Sequence, residues 1–250
     1  MKEKESANSI FEFLTRKNPK VEYPDPTSKT LTDRRYYLCP KELRVWEDFS
    51  FSTLEAIYGG KLIEEARRKG RSSLCYPRVS AIDCVVDDEP TTTCLLTTWN
   101  RSIVNAALEE DSVLSLFHPC IWRAKTGQKN PTENSAKKDT DRLKPDAGAV
   151  SSCATCCCPQ NPSLAPERLP KDYKTASKWK SSPFLREALV DGEWKTGEIQ
   201  KPEAMPILQV YTYCVNRGCR YGCILTTAEA FIFRIKPRTR MQGAAFPLLA

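Results

Sequence analysis

Apolar residues recur at helical steps in three stretches of the chain. Between Cys39 and Gly70 they are Leu54, Ile57, Tyr58, Leu62, Ile63 and Ala66, with Gly70 placed as a stop, which predicts a helix there. From Thr93 to Glu110 the positions Leu96, Trp99, Ile103 and Ala107 fall on one face, and Leu95, Val104 and Leu108 widen the stripe. Ile207, Leu208, Tyr211, Cys214 and Val215 trace a third face, closed by Gly218 where a left-handed C-terminal glycine belongs. The period then shortens to two. Cys223 to Thr227 reads as a strand, Ala228-Glu229 as a turn, and Phe231, Phe233 and Ile235 alternate with Ile232, Arg234 and Lys236 until Pro237.

Elsewhere the pattern thins. Residues 1–35 are polar and hold the turn-rich Tyr23-Pro24-Asp25-Pro26-Thr27, so they read as a flexible N-terminal arm, whose short Ile10–Leu14 patch could dock as a helix. Residues 36–92 read as a helical N-terminal region and 93–240 as the core. Within the core, 123–168 looks like an irregular insertion interrupted by the strand-like run Ala147–Val150, and 241–250 is a tail.

Composition narrows the function classes. The chain has 250 residues, 40% of them hydrophobic, enough to bury a core without covalent staples. No apolar run approaches the ~18 residues of a membrane span, and the charged first twenty residues lack the apolar core of a secretory signal. An intracellular location, in cytoplasm or nucleus, is the expectation. The net charge of +7 permits a polyanionic partner, and much of it is C-terminal: over 206–250, six basic residues stand against one acid. The 12 cysteines fall short of a disulfide scaffold and are expected to be mostly free thiols.

Candidate chemistry is sparse. The one histidine, His118, lies in Leu-Phe-His-Pro-Cys and reads as a structural or surface residue, which argues against serine or cysteine triads. No glycine-rich phosphate loop is present. Cys153-Ala-Thr-Cys156-Cys157-Cys158 has one C-x-x-C spacing and could share zinc with Cys219 and Cys223, although Cys214, Cys219 and Cys223 also suit a core as small hydrophobes.

Carboxylates remain. Pro145-Asp146 precedes a strand-like run, and Asp172-Tyr173-Lys174 follows 26 residues later; on a strand the first and third of that triplet point the same way. Two carboxylates converging from adjacent strands can hold Mg²⁺ through hard oxygens, and a neighbouring lysine can orient or deprotonate water and stabilise developing phosphorane charge. A second Pro-Asp pair at Asp25 and a second acid-x-Lys at Glu193 show that the short motifs alone are weak.

Their order carries more. Helix, Pro-Asp, acid-x-Lys, helix and strand in succession resemble the α-β-β-α-β core of PD-(D/E)xK nucleases. The likeness is to the fungal PD-(D/E)xK nuclease-like proteins. Thr98-Trp99-Asn100 with Val104 resembles their A-W-N-x-x-V-H helix, Lys144-Pro145-Asp146 their K-P-D strand, and the block 169–182, LPKDYKTASKWKSS, their P-x-D-x-K-x-S-x-K-W-K-S segment. Gln209 to Cys214, Arg220-Tyr221-Gly222 and Leu225-Thr226-Thr227 are similar to their Q-x-x-x-Y helix and R-Y-G-x-x-L-T strand. The matching pieces cover about 95 to 236.

The resemblance implies an α+β fold with a mixed central sheet of the restriction-endonuclease type. It implies Asp146 and Asp172 as metal acids binding Mg²⁺ or Mn²⁺, Lys174 as the catalytic lysine, and Gln209 as a polar residue beside the site. Lys178, Lys180 and Arg220 become candidate nucleic-acid contacts. Two departures stand out: Leu96 where the family often carries an acid, and Asn105 in place of its usual histidine. Metal-dependent cleavage of nucleic acid is thus the first functional expectation. A catalytically degenerate nucleic-acid- or protein-binding module of the same fold is the second, and a small zinc-binding protein built on the cysteine cluster is the third.

Overall fold

The computed structural model describes residues 6–7, 9–23, 37–60, 74–110, 120–123, 144–151 and 167–236. In chain order the elements are β1 (Ser6–Ala7), α1 (Ile10–Thr15), α2 (Phe51–Leu54), β2 (Leu74–Cys75), α3 (Glu89–Leu96), α4 (Ser102–Glu110), β3 (Cys120–Arg123), β4 (Gly148–Ser151), β5 (Lys171–Tyr173), α5 (Ser181–Ala188), β6 (Leu189–Val190), β7 (Glu193–Trp194), α6 (Met205–Arg217), β8 (Tyr221–Leu225) and β9 (Ala230–Arg234). A wide π-helical turn, Glu55–Gly59, continues α2, and another, Thr97–Arg101, joins α3 to α4.

Strands β3 and β4 pair antiparallel, as do β8 and β9, while β5 runs parallel to β8. Antiparallel bridges Ala147↔Lys171 and Val150↔Glu167 join the two groups, so the strands follow β3, β4, β5, β8, β9 in a mixed sheet. A parallel neighbour requires a crossover, and α6 supplies it between β5 and β8. Helix α6 forms where the 3.6-residue stripe predicts. Pro206 stands in its first turn, and Gly218 at φ 63° takes the left-handed conformation that ends it.

Side-chain alternation divides the sheet. Asp172 sits opposite Ile224, which belongs to the core formed with Ile207, Leu208, Val210 and Tyr213 of α6. Tyr173 points to the other face and packs with Leu96, Trp122 and Ala147. Helix α6 lies so close to β8 that a side chain at Gly222 would meet Cys214 Sγ at 2.7 Å and Val210 Cγ1 at 2.9 Å.

The stripe on α3 and α4 is buried as expected at Leu95, Leu96, Trp99, Ile103 and Ala107. The helix begins earlier than its hydrophobic pattern, because Asp88 caps it by accepting from Thr91 N–H, and Pro90 fits its first turn.

Other expectations need correction. Residues 1–35 are only in part an arm, since the Ile10–Leu14 patch docks as the helix its apolar residues allowed: Ala7, Ile10 and Phe13 are buried against Tyr76, Trp99, Ile103 and Ala107, and α1 is capped by Ser9. Burial of an Ile or Phe side chain contributes ~2–3 kcal/mol, enough to hold a six-residue helix that would not form alone. The helix expected across 39–70 is short, since 39–50 is non-helical, Leu54 is half-buried, and Ile57 and Tyr58 are exposed; Leu62, Ile63, Ala66 and Gly70 lie outside the described residues. Within 123–168 the strand-like run Ala147–Val150 does form a strand, β4, but β3, ending at Arg123, is an extra strand the pattern did not announce. Val215, placed on the buried face of α6, is exposed, and Tyr211 is half-buried rather than core. Among the described residues no helix is long and apolar enough to cross a membrane.

Candidate active site

Three elements meet at the carboxyl end of β5. Asp172 lies on β5 itself, only 1% exposed, and Lys174 continues the strand by donating its backbone N–H to Leu225 O of β8 at 2.9 Å. Asp146 stands just before β4, and its Oδ2 accepts the backbone N–H of Tyr173 at 2.9 Å, which folds the carboxylate across onto the end of β5. The third element is α3. Thr92 Oγ1 contacts Thr175 Oγ1 at 3.4 Å, tying the helix start to the loop after β5, and Glu89 is the first residue of that helix.

Lys174 is the hub. Its ammonium lies 2.6 Å from Asp172 Oδ2 and 3.1 Å from Glu89 Oε1. Burial works against its charge, but the two carboxylates outweigh that cost and hold its pKa above the ordinary lysine value. Burial pushes the Asp172 carboxyl up to about 7; the Lys174 ammonium pulls against that shift, while the charges of Asp146 and Glu89 push with it. Lys174 is therefore a permanent cation here, suited to stabilising negative charge rather than to accepting a proton.

Helix α6 supplies the flank. Gln209 donates from Nε2 to Tyr213 Oη at 2.6 Å, and the Tyr213 hydroxyl is raised first by burial and then by the charge of Asp172. Gln209 thus stands beside the acids through a tyrosine. A groove of about 570 Å³ opens next to them, lined by Glu89, Thr93, Cys94, Thr97, Thr98 and Asp146 among others.

The donor chemistry suits a hard cation. Asp172 Oδ2 is sealed from solvent and takes no well-directed hydrogen bond from a described residue, its close contact being the lysine charge. With the exposed Asp146 it offers two carboxylates, which leaves positions for the waters that Mg²⁺ retains. Among the described residues no group of three Asp, Glu, His or Cys side chains gathers closely enough to hold an ion together.

The structure brings Asp146, Asp172, Lys174 and, through Tyr213, Gln209 into one neighbourhood. It separates the duplicate motif: Glu193 is exposed on the β6–β7 hairpin, and Lys195 Nζ donates to Glu187 O at 2.6 Å. Lys178 and Lys180 are exposed, but Trp179 between them is core and its indole N–H donates to Glu203 O at 2.9 Å. The Ser177–Lys180 block is therefore cationic without offering a free ring. Arg220 is exposed at the start of β8. Asp25, His118 and the Cys153–Cys158 cluster lie outside the described residues.

Glu89 is the residue sequence reasoning missed. Its signal was the run Asp87-Asp88-Glu89-Pro90 ahead of Thr91, a helix-start signature that places an acid in the first turn. It offers an acid on the first helix although Leu96 does not; Leu96 is 2% exposed and belongs to the core. Asn105 is also structural, donating to Trp122 O at 2.8 Å and accepting Trp122 N–H at 2.9 Å.

No protein-family model, no curated protein and no solved structure matches the chain.

Proposed function

We propose that this protein is a PD-(D/E)xK nuclease-like enzyme that hydrolyses phosphodiester bonds of nucleic acid with Mg²⁺ or Mn²⁺. The observation that carries the reading is the meeting of Asp146, Asp172, Lys174 and Glu89, from two strands and a helix start, at one end of a mixed sheet. The succession of helix, three strands β3–β5, crossover helix α6 and parallel β8 supports a restriction-endonuclease-like core.

Asp146 and Asp172 would hold the cation, which supplies a polarised phosphoryl oxygen and a more acidic water. Tyr173 N–H fixes the Asp146 carboxylate through its hydrogen bond. Lys174, kept protonated by Asp172 and Glu89, places a positive charge where the phosphoryl oxygens gain negative charge. Glu89 aims that ammonium, and the groove beside Glu89 and Asp146 offers the approach for the substrate.

Purified protein incubated with plasmid and with single-stranded DNA should release fragments in Mg²⁺ or Mn²⁺ and none in EDTA. Lys174→Ala should lower the rate at least 100-fold, as expected for removal of a preorganised charge from the reacting centre. Equal cleavage by wild type and Lys174→Ala would sink the assignment. Salt-sensitive DNA binding with no metal-dependent cleavage would favour the degenerate binding module instead.

A further inference from the structure

At the far end of β8 from the acids lies an aromatic stack the proposed chemistry does not use. Trp46, in the turn closed by Phe49 N–H to Trp46 O, stacks on Phe49 with centroids 4.8 Å apart and on Tyr221 at 5.9 Å. The rings lie within 24° and 21° of parallel with Trp46. The Arg234 guanidinium sits 4.5 Å from the Trp46 centroid, and that of Arg220 sits 5.8 Å from Tyr221. Phe49 is 39% and Tyr221 37% exposed, so ring surface remains open beside these cations. Lys236, two residues beyond Arg234, is also exposed. Among the described residues, none of Arg220, Arg234 and Lys236 forms an ion pair with an acid.

We infer that this face binds single-stranded nucleic acid. Near-parallel, partly open rings stack unpaired bases whatever their sequence, and cations set among the rings pair with the phosphates between them. Duplex DNA keeps its bases stacked on one another and offers no such ring faces, so the stack selects the single strand. Glu47 and Asp48 stand in the same turn and offset part of the positive charge, so the face does not rest on charge alone. The face is separate from the acids: Tyr221 and Leu225 mark opposite ends of β8, ~13 Å apart at about 3.3 Å per residue, and Leu225 is the end that meets Lys174.

The test is fluorescence anisotropy of the full chain in EDTA with a labelled oligothymidylate of about 20 nucleotides, longer than the ~4–16 that a small fold covers. Binding is expected to be tighter than to a duplex of equal length or to polyglutamate. Phe49→Ala should weaken binding five-fold or more with the salt slope unchanged. The double variant Arg220→Glu, Lys236→Glu should weaken it ten-fold or more and flatten the salt slope by about 1.4, at about 0.7 per phosphate lost. Because binding is read in EDTA, its outcome is separate from metal-dependent cleavage. No binding of the oligothymidylate, equal binding of the duplex or of polyglutamate, or wild-type affinity in both the ring and the charge variants with unchanged circular dichroism would overturn the inference.

Discussion

Asp172 is the most strained charge described, since an ionised carboxylate 1% exposed has only Lys174 to offset its lost hydration. Its folded pKa of about 7 lies above the ordinary 3.8, so the folded chain retains a proton that the unfolded chain releases. By linkage the contribution of this group to stability is greatest below about pH 4 and falls as pH rises toward 7, by an amount on the order of a few kcal/mol. Urea unfolding at pH 4, 5.5 and 7 should show that decline in the wild type and a flatter profile in Asp172→Asn; identical profiles would refute the assignment. Glu89 makes a second prediction at this scale. Glu89→Gln keeps the shape but removes one of the two charges on Lys174, so cleavage should fall about ten-fold while unfolding stability changes by less than ~1 kcal/mol, as for other half-exposed ion pairs. A variant as active as wild type would show that Glu89 does not aim the lysine. Asp146, Asp172 and Lys174 were legible because a strand places alternate side chains together and the motif order fits. Glu89 was not, because the hydrophobic stripe of its helix starts later than its cap.

Among elements, those with a strong local period were legible: α6, the β8–β9 hairpin, and the buried stripe of α3 and α4. Elements held by distant partners were not. Strand β3 is four residues long, and its place is set by β4 and by Asn105, whose amide bonds both Trp122 N–H and Trp122 O. Asn105→Ala should lower unfolding stability by ~1–3 kcal/mol, measured in urea, because two strand-edge groups lose their partner; a change below ~0.5 kcal/mol would show that water replaces the amide. The helical period over 39–70 misled for the opposite reason, since nothing described covers Ile57 and Tyr58. Two glycines separate these cases. A Cβ at Gly148 would lie 2.0 Å from Glu167 Oε2, inside the joint where buried Glu167 also accepts Ala149 N–H, whereas Gly60 has helical angles and nothing within 4 Å. Gly148→Ala should cost several kcal/mol or prevent folding, and Gly60→Ala should stabilise by ~0.5–1 kcal/mol. Equal melting temperatures for the two variants would contradict the strand joint.

For the whole molecule, the cysteines sort by the same physics that builds the core. Cys214 and Cys219 sit in the layer between α6 and the sheet and Cys223 is buried on the other face of β8, all at most 4% exposed, and burial raises all three thiols, Cys219 and Cys223 to about 12. Cys219 Sγ is also directed at Glu167 O, 3.2 Å away, and Cys214 Sγ at Tyr221 O at the same distance, so each thiol keeps its proton in a hydrogen bond to backbone. Thiolates are the nucleophiles, so these groups react slowly while the core stays closed. Cys39 and Cys94 are exposed, and Cys94 lines the groove beside Glu89. Brief treatment of the native chain with iodoacetamide at pH 8, followed by peptide mass mapping, should therefore modify Cys39 and Cys94 within minutes. Cys214, Cys219 and Cys223 should react only once denaturant opens the core. Early labelling of Cys214 or Cys219 would mean that these thiols are reachable in the folded chain. The layer between α6 and the sheet would then not be the packed wall behind Asp172, and the burial that raises that carboxyl would lose its source.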